Sequence, residues 1–192
     1  QMFADLNRYA VKPSKSLGLL YDHSDEWAEL ARRLANNARA FKGVVELEKS
    51  TLAARSRRLF TLSSIHGATK VLFSGNEHLS FEKKEDTATK FWNLVDRMIS
   101  EWGQVRAGRI TSGEVRQDFI HSHGITLAAL GRVGNYLVTL PQKEWTSKLE
   151  GLKNINWSRS NQKTWEGRAL RRGKIIKSND NIVLTAMPSS KH

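Results

Sequence analysis

The stretch "RSRRLFTLSSIHGATKVLF", residues 55–73, decides the fold class. Leu59, Leu62, Ile65, Thr69 and Leu72 recur every three or four residues and form one face of a helix of 3.6-residue period. Gly75-Asn76 supplies the stop. Three cations, Arg55, Arg57 and Arg58, stand before this helix or within its first turn, where positive charge opposes the helix dipole. Two readings follow: an acidic partner outside the chain, or a local carboxylate such as Glu46 or Glu48.

Working outward, the same periodicity recurs. Residues 24–41 start with Ser24 as an N-cap and carry Trp27, Leu30, Leu34 and Phe41 on one stripe. A third helix is predicted from about Lys84 to Trp102, with Phe91, Val95, Met98 and Trp102 inward. A fourth is predicted from Thr111 or Ser112 to about residue 138. Within it Gly124, Gly131 and Gly134 signal either close backbone packing or a break. A short helix over 142–152 follows, with Trp145, Leu149 and Leu152. "SLGLLYD", 16–22, is the best strand candidate, and "NDNIVLTAM", 179–187, reads as a helix start. The expected fold is mainly α: one compact helical domain over 1–192, of about five to six helices, with a basic loop region at 153–178 and little strand.

Composition narrows the function. The 192 residues are 39% hydrophobic with three Pro and 13 Gly, as in a globular protein. Thirty-one Lys and Arg against 19 Asp and Glu give a net charge of +12, which favours nucleic acid or another polyanion as partner. The absence of Cys excludes disulfides, thiolate nucleophiles and cysteine-ligated metal sites. No apolar run approaches the roughly 18 residues of a membrane span, and no signal pattern opens the chain, so a soluble, cytoplasmic protein without membrane contact is expected. The first residue is Gln1, not Met, which suggests a longer parent protein.

More than half of the net charge sits in one window. Between Lys153 and Lys177 there are eight Lys and Arg and one acid, Glu166. Arg159, Lys163, Arg168, Arg171, Arg172, Lys174 and Lys177, with Asn161 among the interleaved polar residues, provide the charge and the short hydrogen-bonding groups that phosphate contact requires. The alternative is a solvated cationic face anchored by Trp157 and Trp165, which are expected to be mostly buried. His121 and His123 would share a face only on an extended strand, and lack a third ligand at useful spacing. His66 falls on the apolar side of its helix. No phosphate loop, dinucleotide fingerprint or nucleophile, base and oxyanion-donor set is present. No catalytic site, metal or cofactor is expected.

Three motifs go beyond composition: "QMFADLNRYAVKPSKSLGLLYDHSD" at 1–25, "SRRLFTLSSIHGATKVL" at 56–72, and "EVRQDFIHSHGITLAALGRVG" with "INWSRSNQKTWEGRALRRGKIIKSNDNIVLT" across 114–185. In this order they resemble the C-terminal part of the DndB family, DGQHR-domain proteins associated with bacterial DNA sulfur modification (phosphorothioation). The most specific part is the arrangement of Trp157, Arg159, Asn161, Trp165, Glu166, Gly167 and Arg168. The resemblance implies a DNA-binding transcriptional repressor of the sulfur-modification gene cluster, contacting double-stranded promoter or operator DNA and not itself an enzyme. The D-G-Q-H-R signature of the family's ParB-like N-terminal region is absent here, so chemistry tied to it is not carried over. Two alternatives stay open: a non-catalytic part of a nucleic-acid-processing enzyme, and an assembly module for the modification machinery. Homo-oligomerisation stays open as well.

Overall fold

The computed structural model describes residues 13–176 and Thr185. Lys177 and, apart from Thr185, the expected helix start at 179–187 lie outside the described residues, as do residues 1–12. The described part is mainly helical, as expected, but contains nine α-helices rather than five or six. They are α1 (Lys15–Tyr21), α2 (Glu26–Asn37), α3 (Leu62–Leu72), α4 (Phe81–Met98), α5 (Ser100–Arg106), α6 (Ser112–Asp118), α7 (Gly124–Val138), α8 (Trp145–Leu149) and α9 (Gln162–Trp165). Short 3-10 turns flank α8.

The difference in number has local causes. Residues 16–22 form α1, not a strand: Ser16 and Leu19, three apart, are the buried positions, and Ser14 Oγ caps the N–H of Leu17 at 3.1 Å. The expected 84–102 helix starts earlier, at Phe81 behind Ser80, and breaks at Ile99, whose backbone is extended. The chain turns there and restarts as α5, which carries Trp102 inward. The expected long fourth helix is also two, α6 and α7, separated by the non-helical residues 119–123. At α2 the cap is Asp25, which accepts from Trp27 N at 2.8 Å, while Ser24 bonds Asp22.

Strand is scarce. β1 (Val45–Glu46) and β2 (Phe60–Thr61) pair in parallel, Val45 opposite Phe60. β3 (Leu170–Arg171) and β4 (Lys174–Ile175) form an antiparallel hairpin. Thr61 then caps α3 in a reciprocal box with Ser64, so Leu59 lies in the lead-in rather than in the helix.

The core is aromatic at its centre. Phe41 meets Phe60 and Trp92, each at 5.3 Å between ring centroids, and Phe60 meets Trp102 edge-on at 4.9 Å. α7 lies against α3 at a distance that only glycine permits: a Cβ on Gly131 would stand 2.4 Å from Ala68 O, and one on Gly134 2.6 Å from the Phe91 ring. Close packing is thus the reason for these two glycines, whereas Gly124 opens α7 at the break. Two buried charges are ion-paired: Asp96 lies 2.6 Å from Arg106 and 3.1 Å from Arg39, and Lys84 lies 2.9 Å from Glu26 and over the Trp27 ring. A second, smaller apolar cluster of Ile120, Ile125, Trp165, Ala169 and Leu170 underlies the basic segment.

Candidate functional site

Loop 47–59, which joins β1 to β2, is held in place by a side chain from a different element. Arg116 of α6, 9% exposed, donates to the carbonyls of Ala53 and Ala54 at 2.9 Å each, of Ser56 at 3.2 Å, and of Arg58. Burial lowers its pKa, and a guanidinium remains charged under such a shift. Ser112 Oγ adds a bond to the carbonyl of Arg57 at 2.8 Å. His123 Nε2 meets the Arg116 carbonyl at 2.9 Å, which ties the start of α7 to the end of α6.

This scaffold shapes a cleft of about 1260 Å³ between loop 47–59, the turn after α5, the start of α7 and β4. Among the described residues six cations line it, Lys42, Arg55, Arg57, Arg106, Arg116 and Arg159, and no Asp or Glu does. Arg106 is engaged by Asp96, Arg116 by its four carbonyls, and Arg159 by the carbonyls of Gln117 at 3.3 Å and Gly173 at 2.9 Å. Lys42, Arg55 and Arg57 have no ion-pair partner among the described residues. Hydroxyls of Ser50, Thr51 and Ser56 border them.

The two cationic regions singled out in the sequence therefore meet here, through Arg55 and Arg57 on one side and Arg159 on the other. All three arginines of the first region lie before β2, outside α3, so the helix dipole is not what they oppose. The local-carboxylate alternative is not realised among the described residues: Glu46 accepts from the backbone of Glu48 and Lys49, and Arg58 donates to Gly43 O. Sequence reasoning missed Lys42, Arg106 and Arg116. For Arg116 a signal existed: it stands four residues after Ser112 and four before Ile120, on the stripe that α6 buries.

The basic segment 153–176 is anchored by its tryptophans. Trp165 is 3% exposed, Trp157 half-buried, and the two rings stack at 5.5 Å and 9°. Trp165 donates to Asn156 O at 2.9 Å and Trp157 to Leu152 O at 3.2 Å. Asn161 opens α9 and its amide bonds Asn156 O. Lys163 is exposed and Arg168 half-buried. At the hairpin, Arg172 and Gly173 both take positive φ, 52° and 71°, the geometry of a tight two-residue turn, and Glu166 accepts from both backbone N–H groups. Arg171 and Lys174 are directly paired across the strands. Like charges in that position repel, so the hairpin tip concentrates cations at a cost to stability.

The histidines do not form a metal centre: among the described residues no group of three His, Asp or Glu is placed to hold an ion. His121 is wholly buried, and that burial, with His123 nearby, pushes its pKa down to about 3. His66 is also buried and shifted down by desolvation, against the opposing pull of Asp25 at 3.5 Å.

The sequence model of the family described as DndB, DNA-sulfur modification-associated, matches residues 1–188. The chain belongs to the DndB family. The match covers both walls of the cleft and the basic segment, so these are features of a DndB-family chain concerned with DNA sulfur modification. No curated protein and no solved structure matches it. Among the described residues no helix of this DndB-family chain is long and apolar enough to cross a membrane.

Proposed function

We propose that this DndB-family chain binds duplex DNA and, by occupying promoter or operator DNA, represses the gene cluster for DNA sulfur modification. The observation that carries the reading is the cleft, which among the described residues is lined by the unpaired Lys42, Arg55 and Arg57 and by no acid, together with the hairpin that pairs Arg171 with Lys174 and lends Ile175 to the lining. A folded chain retains such like-charge proximity where an anionic partner relieves it. Phosphate contact through arginines set on a rigid scaffold gives affinity and orientation, and base contacts add sequence preference. In this reading the chain performs no chemistry of its own and acts in the cytoplasm.

The test is a titration of the chain against duplex from upstream of its own gene cluster, with a scrambled duplex as control and at several salt concentrations. Tighter binding to the upstream duplex, together with release of that DNA's promoter when the gene is deleted, is the expected result. Equal, weak binding to both duplexes would leave only a non-specific polyanion contact and remove the repressor reading.

A further inference from the structure

We infer that the β3–β4 hairpin enters the major groove of the bound duplex, with Arg172 at its tip set against base edges and Arg171 and Lys174 beside it on the phosphates. The inference rests on the duplex-binding reading above and goes beyond it by naming the residue that gives sequence preference. The register makes the hairpin two-faced. Residues directly opposite on antiparallel strands project to the same side, and neighbours along a strand to opposite sides. Leu170 and Ile175 form one pair and belong to the apolar cluster of Trp165, Leu170 fully buried and Ile175 half-buried. Arg171 and Lys174 form the other pair, are exposed, and therefore take the outward face. One face thus anchors the ribbon to the body, and the other face and the tip are left for a partner.

The tip carries an independent mark. Arg172 is the one non-glycine residue with positive φ among the described residues, and it is exposed. A two-residue turn of this geometry is made most readily by Asn, Asp or Gly, so an arginine there is held against the local backbone preference. Glu166 fixes the turn by accepting from the N–H groups of both Arg172 and Gly173, which presents the long side chain from a set backbone. Arg171, Arg172 and Lys174 have no ion-pair partner among the described residues. Two separate local costs, a left-handed arginine and a cross-strand pair of like charges, therefore meet on one short hairpin, and a polyanion relieves the second while giving the first a use.

Dimensions favour the major groove. Paired strands lie about 4.8 Å apart, and the major groove, about 12 Å wide, admits such a ribbon, whereas the minor groove, about 6 Å wide, is too narrow for it without deformation. There a guanidinium can give two N–H groups to O6 and N7 of one guanine, the commonest base-specific contact. The hairpin also adjoins the cleft: Ile175 lines it, and Arg159, on the cleft wall, donates to Gly173 O at 2.9 Å. Groove contact at the tip and phosphate contact along Arg55 and Arg57 then belong to one surface.

The experiment uses the full chain with two duplexes, one from upstream of its own gene cluster and one scrambled, and with guanine N7 methylation of the upstream duplex as the mark of major-groove contact. Wild type is expected to prefer the upstream duplex and to lose binding when particular guanines are methylated. Arg172→Asn, which suits the left-handed turn, is expected to lower that preference about tenfold and to become indifferent to those methyl groups, with the melting temperature unchanged or higher. Arg172→Gly is expected to behave alike, and Arg171→Ala to weaken both duplexes by the same factor. Wild-type preference retained in Arg172→Asn, or wild-type binding blocked by the minor-groove ligand netropsin and not by N7 methylation, would overturn the inference and leave duplex binding standing. A wild-type chain that binds neither duplex, or both equally, would overturn the repressor reading and this inference with it.

Discussion

The indole N–H of Trp102 donates to Nδ1 of His121 at 3.1 Å, and this single bond fixes the state of a fully buried imidazole. With Nδ1 accepting, the ring proton sits on Nε2, which faces the Glu101 carboxylate at 3.6 Å. The ring also stacks on Phe119 at 5.2 Å and meets Trp157 edge-on, so His121 joins the main core to the basic segment.

Acid sensitivity follows from that placement. The native pKa of His121 is lowered to about 3, whereas the unfolded side chain takes up a proton below about 6.5. Because the unfolded state binds the extra proton, this group's contribution is fully present above about pH 6.5 and is lost on acidification towards pH 3, at about 1.4 kcal/mol per unit. Urea unfolding at stepped pH is expected to show the decline, and His121→Gln, which keeps an acceptor for Trp102, is expected to make it shallower.

At the α3–α7 contact, Gly131→Ala is expected to destabilise the chain by about 1–3 kcal/mol despite the better helix propensity of Ala, since the new methyl meets the Ala68 carbonyl, which is backbone. Gly67→Ala, in α3 with nothing within 4 Å of the added carbon, is expected to gain about 0.5–1 kcal/mol. Opposite signs in thermal melts of the two variants are the check.

Trp165 is the largest side chain of the second apolar cluster, and its removal leaves Trp157 without its stacked partner. Trp165→Ala is expected to cost about 3–5 kcal/mol, as aromatic truncations in cores do. Hydrogen exchange is expected to speed up across 155–176 more than in α3 or α4.

For the outer cations, Arg171→Ala with Arg172→Ala is expected to weaken DNA binding on every duplex and to flatten the log–log salt dependence by about one to two. The same variant is expected to keep or raise its melting temperature, because it relieves the repulsion between Arg171 and Lys174. Unchanged affinity and slope would remove the hairpin from the interface.

Helical class was legible because Leu62, Ile65, Thr69 and Leu72 keep a strict period on the buried face of α3. The break at Ile99 was not, since it carries no Pro or Gly and the stripe continues through it, while that at 119–123 was marked only by Gly124, which close packing would equally explain; Trp102 and His121 are both buried beside these turns. Arg55, Arg57 and Arg159 could be found by charge alone. The cleft that unites them depends on Arg116, whose place on the buried stripe of α6 marks burial but not the carbonyls it meets, which belong to a loop distant in the chain.

Anchoring by Arg116 also bears on how fast a ligand is captured. The loop that carries Arg55 and Arg57 is closed at its ends by the β1–β2 pair and tethered midway through four carbonyls, so its conformational entropy is already lost when the chain folds. An approaching anion meets charges that need no rearrangement. Encounter is then governed by long-range attraction and diffusion, with an association rate that falls steeply with ionic strength while the residence time is set by contacts inside the cleft.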